Sequence, residues 1–578
     1  MRKLLVSFII LLMMECISCK TQNHSYVHYY QNKKIQIIDY REEKIAGFES
    51  NLPYIFDWEV QIPSEGYLLF GIAFKAHQFE KFPHKFQILV KEIKKNSILF
   101  KEPFAMSPEH IGMFHFKVPL KGLKNKLLNL RFELISLRKN QIFSNAVIWE
   151  TPKIFSEARS KKPNVIIITI DALRADHLGC YGYPNKTSPS IDKFARNAFK
   201  YTNAYSTAGS TWPSLTTLMT STYPSQHGVI FNGYQLQKNL VSVPEIMQQN
   251  GYQTFAFLAN MKRGTHKGYN YLYRSRGDKA LSNVALQVVN LYKDTNFFIW
   301  IHYLGPHAAY EAPDEYLARR GLKHKDLRYG RPIIHNSMMK KQKKFSGEIL
   351  QKIIKLYDAD IEYTDHLVGT LLDEITKLGL KENTIIIISA DHGEELAQHF
   401  NYLYHSGSLY DSTLRIPLLW YIPSSSDKQK STDDMISMID IAPTLLSYLH
   451  IKVPASFKGV DVMASPENKS PENKWVFSEE YGKIYTLRDQ RYRYIINPGN
   501  EEFQIMAYLK IKYDEQLFLH PTDEKEYHTI IAQNPSVAHA YHQLLTAWIH
   551  KNLPASVPPQ TIDEQTKEQL RALGYVNP

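Results

Sequence analysis

Two apolar runs constrain the fold of this 578-residue chain more than any other feature: NVIIITI at 164–170 and TIIIISA at 384–390. Runs rich in β-branched residues, without polar alternation, are typical of strands that are buried on both faces. Such strands occur in parallel sheets that helices cover on both sides. Three further segments fit the same pattern, at 254–260, 297–304 and 418–422.

Helical patterns alternate with these runs. Ser188-Pro189 and Pro244 are typical helix starts, Gly251 is a typical helix end, and a long amphipathic stretch at 348–378 precedes TIIIISA. Strands alternating with helices predict an α/β domain with a doubly wound, mostly parallel sheet. We predict that this domain covers residues 164–454.

The regions on either side of this domain have different sequence patterns. Residues 19–157 contain short alternating or apolar runs separated by turn-prone residues, which predicts an N-terminal β-sandwich. Its role is either that of a passive spacer or that of a carbohydrate-binding module. Residues 455–578 contain the strand-like segments WVFSEE, YTLRD, YRYIINP and EQLFLH, and end in a helical pattern at 560–578. They predict a small C-terminal α+β subdomain.

The first residues are typical of a targeting signal. Arg2 and Lys3 precede an apolar run at 4–14, and Cys16-Ile17-Ser18-Cys19 follows. This resembles a bacterial lipoprotein box, which predicts a signal peptide at 1–18 and lipidation at Cys19. A plain secretory signal is the alternative. In either case we expect an exported protein, and in the first case a membrane-anchored lipoprotein of the cell envelope, periplasmic or at the cell surface.

The positive charge is unevenly distributed. The formal net charge is +12, and residues 310–345 contain ten Lys or Arg against four acidic residues. This segment is either a solvated loop or a basic lid that attracts anionic substrates or an anionic lipid surface. Zinc-finger, helix-turn-helix and aromatic RNA-binding signatures are absent from the sequence, so a nucleic-acid partner is not expected.

Ligand-type residues follow the apolar runs. Asp171 comes after NVIIITI, Asp391 and His392 come after TIIIISA, and His302 lies near the end of another run. Ligands of open α/β sheets bind at the carboxyl ends of the strands, so we expect these side chains to converge. Two carboxylates and an imidazole predict a divalent metal site, and imidazole suits zinc or manganese better than calcium.

Several motifs together resemble the sulfatase and alkaline-phosphatase superfamily. They are DALRADHLGCYGY from residue 171, GSTWPSLTTLMTS from residue 209, HYLGPH at 302–307, and SADHGE with HSGSLYDSTLRIP between 389 and 417. The resemblance implies an alkaline-phosphatase-like fold with one or two divalent ions, zinc or manganese favoured and calcium possible. It also implies that Asp171, Asp391, His392 and Thr211 are metal ligands, and that Thr211 is the covalent nucleophile at a helix N-terminus.

The sequence departs from the sulfatase pattern at the nucleophile. Sulfatases that use formylglycine have cysteine or serine in the motif C/S-x-P-S-R, whereas this chain has Thr211-Trp212-Pro213-Ser214-Leu215. Threonine cannot be converted to the aldehyde. The usual paired aspartate is replaced by Ala172, and the usual asparagine by His392. These departures favour a phosphate ester over a sulfate ester.

Three histidines complete the predicted site. His302, His307 and His405 resemble substrate-contacting or metal-binding histidines of phosphoethanolamine transferases and phosphodiesterases in the superfamily. We predict that they bind substrate, and that His307 or His405 protonates the leaving group.

The resemblance therefore implies a hydrolase or transferase acting on phosphate mono- or diesters of a lipid or glycan. The alternatives are a sulfatase acting on sulfated glycans and a catalytically silent surface protein that binds polyanions. We expect an anionic ester as the substrate and a membrane contact through the lipid anchor.

Overall fold

The computed structural model describes residues 36–156 and 162–560, apart from short internal stretches. These residues form two compact units, one drawn from residues before 160 and one that begins at Ser160. The predicted signal peptide, Cys19 and residues 561–578 of the terminal helix predicted at 560–578 lie outside the described residues.

The first unit consists of antiparallel strands. Their bounds are β1 Gln36–Tyr40, β2 Glu43–Leu52, β3 Tyr54–Gln61, β4 Gly66–Phe74, β5 His84–Glu92, β6 Ser97–Met106, β7 Phe114–Pro119, β8 Leu127–Ser136, β9 Phe143–Glu150 and β10 Lys153–Ser156. One sheet has the order β1-β2-β9-β4-β10, with β7 also paired to β4, and the other has the order β3-β8-β5-β6.

Both sheets contribute to a single apolar core. Phe70 of β4 packs edge-on against Phe132 of β8, with ring centroids 5.1 Å apart, and Trp58 of β3 joins the same cluster. Side chains of alternate residues thus fill the space between two facing sheets. The predicted β-sandwich is confirmed.

The second unit contains the larger sheet and its helices. The strands are β11 Asn164–Ile170, β12 Phe199–Tyr205, β13 Gln253–Ala259, β14 Tyr271–Ser275, β15 Phe297–Tyr303, β16 Thr384–Ala390, β17 Glu395–Leu396, β18 Leu403–Tyr404, β19 Arg415–Tyr421 and β20 Ser431–Ser437. The helices are α1 Pro189–Ala195, α2 Thr211–Thr220, α3 Pro224–His227, α4 Val243–Gln249, α5 Asp278–Tyr292, α6 Asp314–Arg319, α7 Gly347–Lys377, α8 Asp411–Leu414 and α9 Ile441–Tyr448.

The central sheet has the strand order β14-β13-β15-β11-β16-β19-β12-β20. The strands from β14 to β16 are all parallel, β19 is antiparallel to both of its neighbours, and β20 is parallel to β12. Every residue of β11, β15 and β16 is buried, as expected for strands covered on both faces. The predicted mostly parallel, doubly wound sheet is confirmed.

A smaller antiparallel sheet follows. Its strands are β21 Val476–Glu480, β22 Ile484–Arg488, β23 Tyr492–Ile496 and β26 Gln516–Leu519, and a separate hairpin is formed by β24 Glu502–Met506 and β25 Leu509–Lys512. Helix α10, Pro535–Asn552, covers it, and Trp548 stacks on Phe477 at 4.1 Å. All four predicted strands are present, whereas α10 was not predicted.

Among the described residues, no helix is both long and apolar enough to cross a membrane.

Candidate active site

Three neighbouring parallel strands bring the predicted ligands to one edge of the sheet. Asp171 directly follows β11, Asp391 directly follows β16, and His302 is the penultimate residue of β15. Since β11 lies between β15 and β16 in parallel register, the carboxyl ends of these strands meet there.

Helix α2 brings Thr211 to the same edge as its first residue, with Ser210 as the N-cap residue. Thr211 Oγ1 lies 3.2 Å from His392 Nε2. The same nitrogen lies 3.7 Å from Asp171 Oδ1 and 3.3 Å from Asp391 Oδ2. We call these four residues the central cluster; Asp171, Asp391 and His392 form a group that could hold a metal ion.

Backbone contacts orient the members of the central cluster. Asp391 Oδ1 accepts hydrogen bonds from the backbone N–H groups of Ala172 (3.1 Å) and His392 (2.8 Å), which turns Oδ2 toward the cluster. His392 Nδ1 donates to the carbonyl of Gly393 at 2.9 Å. Because a carbonyl can only accept, the neutral imidazole keeps its lone pair on Nε2, which faces the carboxylates.

The atoms of the cluster fit a cation. Asp171 Oδ1 and Asp391 Oδ2 are buried and have no hydrogen-bond partner among the described residues. Buried acceptors without donors are costly unless a cation compensates them. The separations of 3.2 to 3.7 Å match the edge of about 3.3 Å expected between ligands bound at roughly 2.0 Å. The donor set of the central cluster therefore fits a divalent metal.

The two carboxylates differ electrostatically. Burial, which disfavours charge, acts on both of them. For Asp171 the nearby His307, His302 and His392 outweigh burial and lower its pKa. For Asp391 burial and the charge of Asp171 raise the pKa. Two carboxylates that oppose each other in this way need a positive charge between them to be ionised together.

The N-terminus of α2 offers fewer free amides than its position suggests. The N–H of Trp212 donates to Asn232 Oδ1 at 2.9 Å, Pro213 has no N–H, and the N–H of Ser214 donates to the carbonyl of Ser210. The helix start at Thr211 is as predicted. However, Asn232 takes an N–H donor that a helix N-terminus would otherwise offer to an anion, and Asn232 itself was not anticipated.

His405 is paired with a residue that the sequence analysis missed. Its Nδ1 lies 2.7 Å from Glu394 Oε2, and its ring stacks on His392 with centroids 4.1 Å apart. Burial lowers the pKa of His405 and raises that of Glu394, so both groups favour their neutral forms. This favours proton acceptance or metal binding by His405 over the predicted role of proton donor. Glu394 was recognisable as a charged residue inside the motif SADHGE.

His307 lies on a loop whose backbone the half-buried carboxylate of Asp278 holds. Its ring centroid is 5.1 Å from that of His405, and its Nδ1 donates to the carbonyl of Ala308. Asp278 accepts hydrogen bonds from the backbone N–H groups of Leu304 and Gly305. His307 and Thr211, each 5% exposed, are the most accessible of the predicted catalytic and metal-binding residues.

His302 lies in the protein interior, in contact with Asp171. It is fully buried, with Nε2 3.5 Å from Asp171 Oδ2 and Nδ1 2.9 Å from Thr169 Oγ1. Although burial lowers its pKa, hydrogen bonding and attraction to Asp171 outweigh it and raise the pKa. This position fits the support of Asp171, or metal binding, better than the predicted substrate contact.

Part of the basic segment is neutralised by ion pairs. Arg319 contacts Glu362 at 2.7 Å as well as Glu315, and Arg320 contacts Glu362 at 2.9 Å. These contacts favour a paired surface over a free basic lid for the described part of 310–345. The lysines at 340, 341, 343 and 344 lie outside the described residues.

A second group of ligand-type side chains is explained without a metal. Asp411 and Glu526, together with His520, lie close together, but the guanidinium of Arg493 contacts both carboxylates. Since arginine already supplies the positive charge, this group forms a buried ion-pair network.

Comparison with known proteins agrees with this geometry. Residues 163–451 match the profile of the sulfatase family, and residues 401–552 match that of the C-terminal region of N-sulphoglucosamine sulphohydrolase. The first match covers half of the chain, and the protein belongs to the sulfatase family, within the sulfatase and alkaline-phosphatase superfamily.

The similar proteins include sulfatases. An ulvan-active sulfatase of Formosa agariphila is 28% identical over 344 residues, 54% of this chain and 66% of that protein. An arylsulfatase of Clostridium perfringens is 23% identical over 426 residues, 59% of this chain and 87% of that protein. The chain thus spans just under two thirds of the Formosa relative.

Solved structures show the same fold. The phosphonate monoester hydrolase of Agrobacterium radiobacter has a TM-score of 0.57 at 18% identity, covering 70% of this chain and 99% of that one. A protein solved with its substrate D-glucosamine-2-N,6-O-disulfate has a TM-score of 0.55 at 16% identity, and the match covers 68% of this chain and 98% of that one. At these identities the likeness concerns the fold alone.

Proposed function

We propose that this sulfatase-family enzyme attacks a tetrahedral anionic ester with the hydroxyl of Thr211, and that phosphate mono- or diesters are its preferred substrates. The observation that carries the proposal is the position of Thr211 Oγ1, 3.2 Å from His392 Nε2 at the edge of the central cluster. A hydroxyl group in this position can act as the nucleophile directly, without prior oxidation of the side chain to an aldehyde.

A proton transfer accompanies each bond change. As Thr211 Oγ1 forms a bond to phosphorus, its hydroxyl proton passes to water, because the lone pair of His392 Nε2, 3.2 Å away, would be used in binding the cation. His307, with Nδ1–H committed to the carbonyl of Ala308, is the candidate that protonates the departing alcohol through Nε2. The bond from phosphorus to the leaving oxygen breaks and a phosphothreonine remains. Water then completes hydrolysis, or a second alcohol completes transfer.

A divalent cation held by the central cluster would neutralise the ester oxygens and lower the pKa of the Thr211 hydroxyl. Zinc or manganese suits a set of two carboxylates, a hydroxyl and an imidazole, and calcium would prefer oxygen ligands alone. His302, His307 and His405 surround the cluster and could contribute to a second ion.

A sulfate ester of a glycan is the second candidate, and the relatives favour it. The curated proteins that resemble this chain include an ulvan-active sulfatase and an arylsulfatase, and one structural neighbour was solved with a disulfated glucosamine. A phosphonate monoester hydrolase shares the fold equally well. The fold therefore does not separate the two chemistries, whereas the threonine in the nucleophile position favours phosphate.

Matched aryl esters test this choice. We expect purified protein loaded with zinc or manganese to hydrolyse bis(p-nitrophenyl) phosphate or p-nitrophenyl phenylphosphonate with a higher kcat/KM than p-nitrophenyl sulfate. The three compounds release the same chromophore, so rates compare directly. Preferential cleavage of the sulfate would favour the second candidate, and hydrolysis of none would favour the silent polyanion-binding protein.

We also propose that the protein is exported and anchored to a membrane of the cell envelope through a lipid on Cys19. The supporting observation is the charged and apolar sequence that precedes this cysteine. Wild-type protein expressed in a bacterial host should partition into the detergent phase, and Cys19→Ala should move it to the aqueous phase. Equal partitioning of the two forms would contradict the anchor.

A further inference from the structure

Strand β21 of the smaller sheet lies beside the residues that lead into Thr211. We call residues 206–210 the nucleophile stretch. Ser478 Oγ donates to the carbonyl of Ser206 at 2.7 Å, and the N–H of Glu479 donates to the carbonyl of Thr207 at 2.9 Å. The strand thus follows the nucleophile stretch toward its end.

Glu480, the last residue of β21, binds the end of this stretch. The N–H of Gly209 donates to Glu480 Oε2 at 2.9 Å, and the hydroxyl of Ser210 donates to Oε1. Ser210 is the N-cap residue of α2. The carboxylate of Glu480 is buried and contacts the residue immediately before the nucleophile.

The same carboxylate binds a second stretch. We call residues 405–408 the histidine stretch, because it begins at His405. The N–H of Gly407 donates to Glu480 Oε1 at 3.3 Å, and Tyr513 OH donates to the carbonyl of Gly407 at 2.7 Å. Both contacts come from the C-terminal part of the chain.

The two stretches also touch each other directly. A Cβ atom placed on Gly209 would lie 2.7 Å from the carbonyl oxygen of Ser408 and 3.3 Å from that of His405. Only glycine permits this close backbone approach. The separation of the stretches is therefore tightly limited, and Glu480 holds them in contact.

The separation of the two stretches affects the site because Thr211 and His405 both contact the imidazole of His392. Thr211 Oγ1 lies 3.2 Å from His392 Nε2, and the ring of His405 stacks on the His392 ring at 4.1 Å. Any shift between the nucleophile stretch and the histidine stretch would change how Thr211 and His405 lie against His392. Displacements of this kind are costly for reaction rate because catalytic groups must be aligned closely.

We propose that Glu480 is a positioning residue that sets the separation of Thr211 and His405 by binding both stretches with one carboxylate. The inference deepens the proposed function and rests on it for its kinetic consequence. A carboxylate suits the task because two acceptor oxygens meet three donors, from Gly209, Ser210 and Gly407. Glutamine would keep the shape but turn an NH₂ group toward those donors.

The neighbouring residue offers a matched control. Glu479 lies on the same strand, is as buried as Glu480, and also accepts from a backbone N–H, that of Ser225 at 2.8 Å. Its carboxylate binds Ser225 rather than either stretch. Glu479→Gln therefore makes the same chemical change without reaching Thr211 or His405.

The first test does not depend on any substrate. Amide hydrogen exchange followed by mass spectrometry should show that Glu480→Gln speeds exchange at least about tenfold in peptides containing Gly209 and Gly407. Glu479→Gln should speed exchange at Ser225 and leave those two peptides unchanged. Wild-type exchange at both glycines in Glu480→Gln would overturn the proposal, whatever the enzyme hydrolyses.

The second test separates positioning from general stability. With the best aryl ester, Glu480→Gln should lower kcat at least about tenfold with KM changed less than about threefold. Glu479→Gln should leave both constants within about threefold of wild type. Equal losses in the two variants would overturn the proposal, because a common loss of stability would then explain them.

Gly209→Ala provides a second variant should Glu480→Gln fail to fold. It separates the two stretches at the Ser408 carbonyl and keeps Glu480, so it should show the same loss in kcat. An unchanged kcat in folded Gly209→Ala would also overturn the proposal. If wild-type protein hydrolyses no ester, the proposed function fails, and the exchange experiment still decides the role of Glu480.

Discussion

At the scale of single residues, the site combines features that the sequence shows with others that it hides. Asp171, Asp391 and His392 could be predicted because each follows a long apolar run, and parallel strands end at a common edge. Glu480 could not be predicted, since 270 positions separate it from Ser210. Asn232 was missed for a related reason: its contact with the N–H of Trp212 depends on how a loop folds back.

The first prediction concerns metal binding. Asp171→Ala, Asp391→Ala and His392→Ala should each lower zinc or manganese affinity by more than ~100-fold. This exceeds the loss typical of changing a residue that only hydrogen-bonds to a metal ligand. Each change leaves a buried ion with too few ligands. Metal content after dialysis, measured by mass spectrometry, checks this.

His520→Ala is the control for metal binding, since it lies in the second cluster of ligand-type residues, where Arg493 supplies the positive charge. It should retain the wild-type metal content. Full metal content in all three variants of the central cluster would refute that site.

At the scale of elements, burial determines which strands the sequence could show. β11, β15 and β16 are buried along their whole length and were predicted. β14 and β20 lie at the two edges of the sheet and were missed. β20 contains two adjacent aspartates, which are tolerated at an edge because one side of the strand pairs with no other strand among the described residues.

The second prediction concerns β21 and pH. Burial raises the pKa of Glu479 to about 7, although hydrogen bonds from Ser225 act in the opposite direction. A glutamate in the unfolded chain titrates near pH 4.3. The folded protein therefore binds the proton more tightly. The stability that this provides is complete below about pH 4.3 and is lost as the pH rises through about 7.

Glu479→Gln should remove this dependence. The free energy of unfolding of the variant, relative to that of wild type, should rise between pH 5 and pH 8 by on the order of 3 kcal/mol. Chemical denaturation at several pH values measures it. Parallel pH curves for the two proteins would show that Glu479 is ionised in the folded state with an ordinary pKa.

At the scale of the whole molecule, each compact unit has its own core. The first unit fills its sandwich with side chains such as Phe70, Phe132 and Trp58, and the second contains the complete candidate site. The smaller sheet belongs to this second unit, and it supplies Glu480 to the site. The predicted boundary at 454 therefore separates two parts of the sequence that cooperate in space.

The third prediction follows from this division. A chain that begins at Ser160 should fold and hydrolyse small aryl esters within about threefold of the full-length rate, because a unit with its own core can fold alone. A chain that ends before residue 455 should be inactive, since it lacks Glu480. Activity of the shorter chain would contradict the role assigned to β21.

The central claim is that Thr211 forms a covalent bond to the substrate phosphorus. Acid quenching during turnover of an aryl phosphodiester, followed by peptide mass spectrometry, should find a phosphoryl adduct on Thr211. Thr211→Ala should lack the adduct and lose at least ~100-fold in kcat/KM, about 3 kcal/mol, while Thr211→Ser should keep a measurable part. An adduct on another residue, or wild-type turnover by Thr211→Ala, would contradict the account.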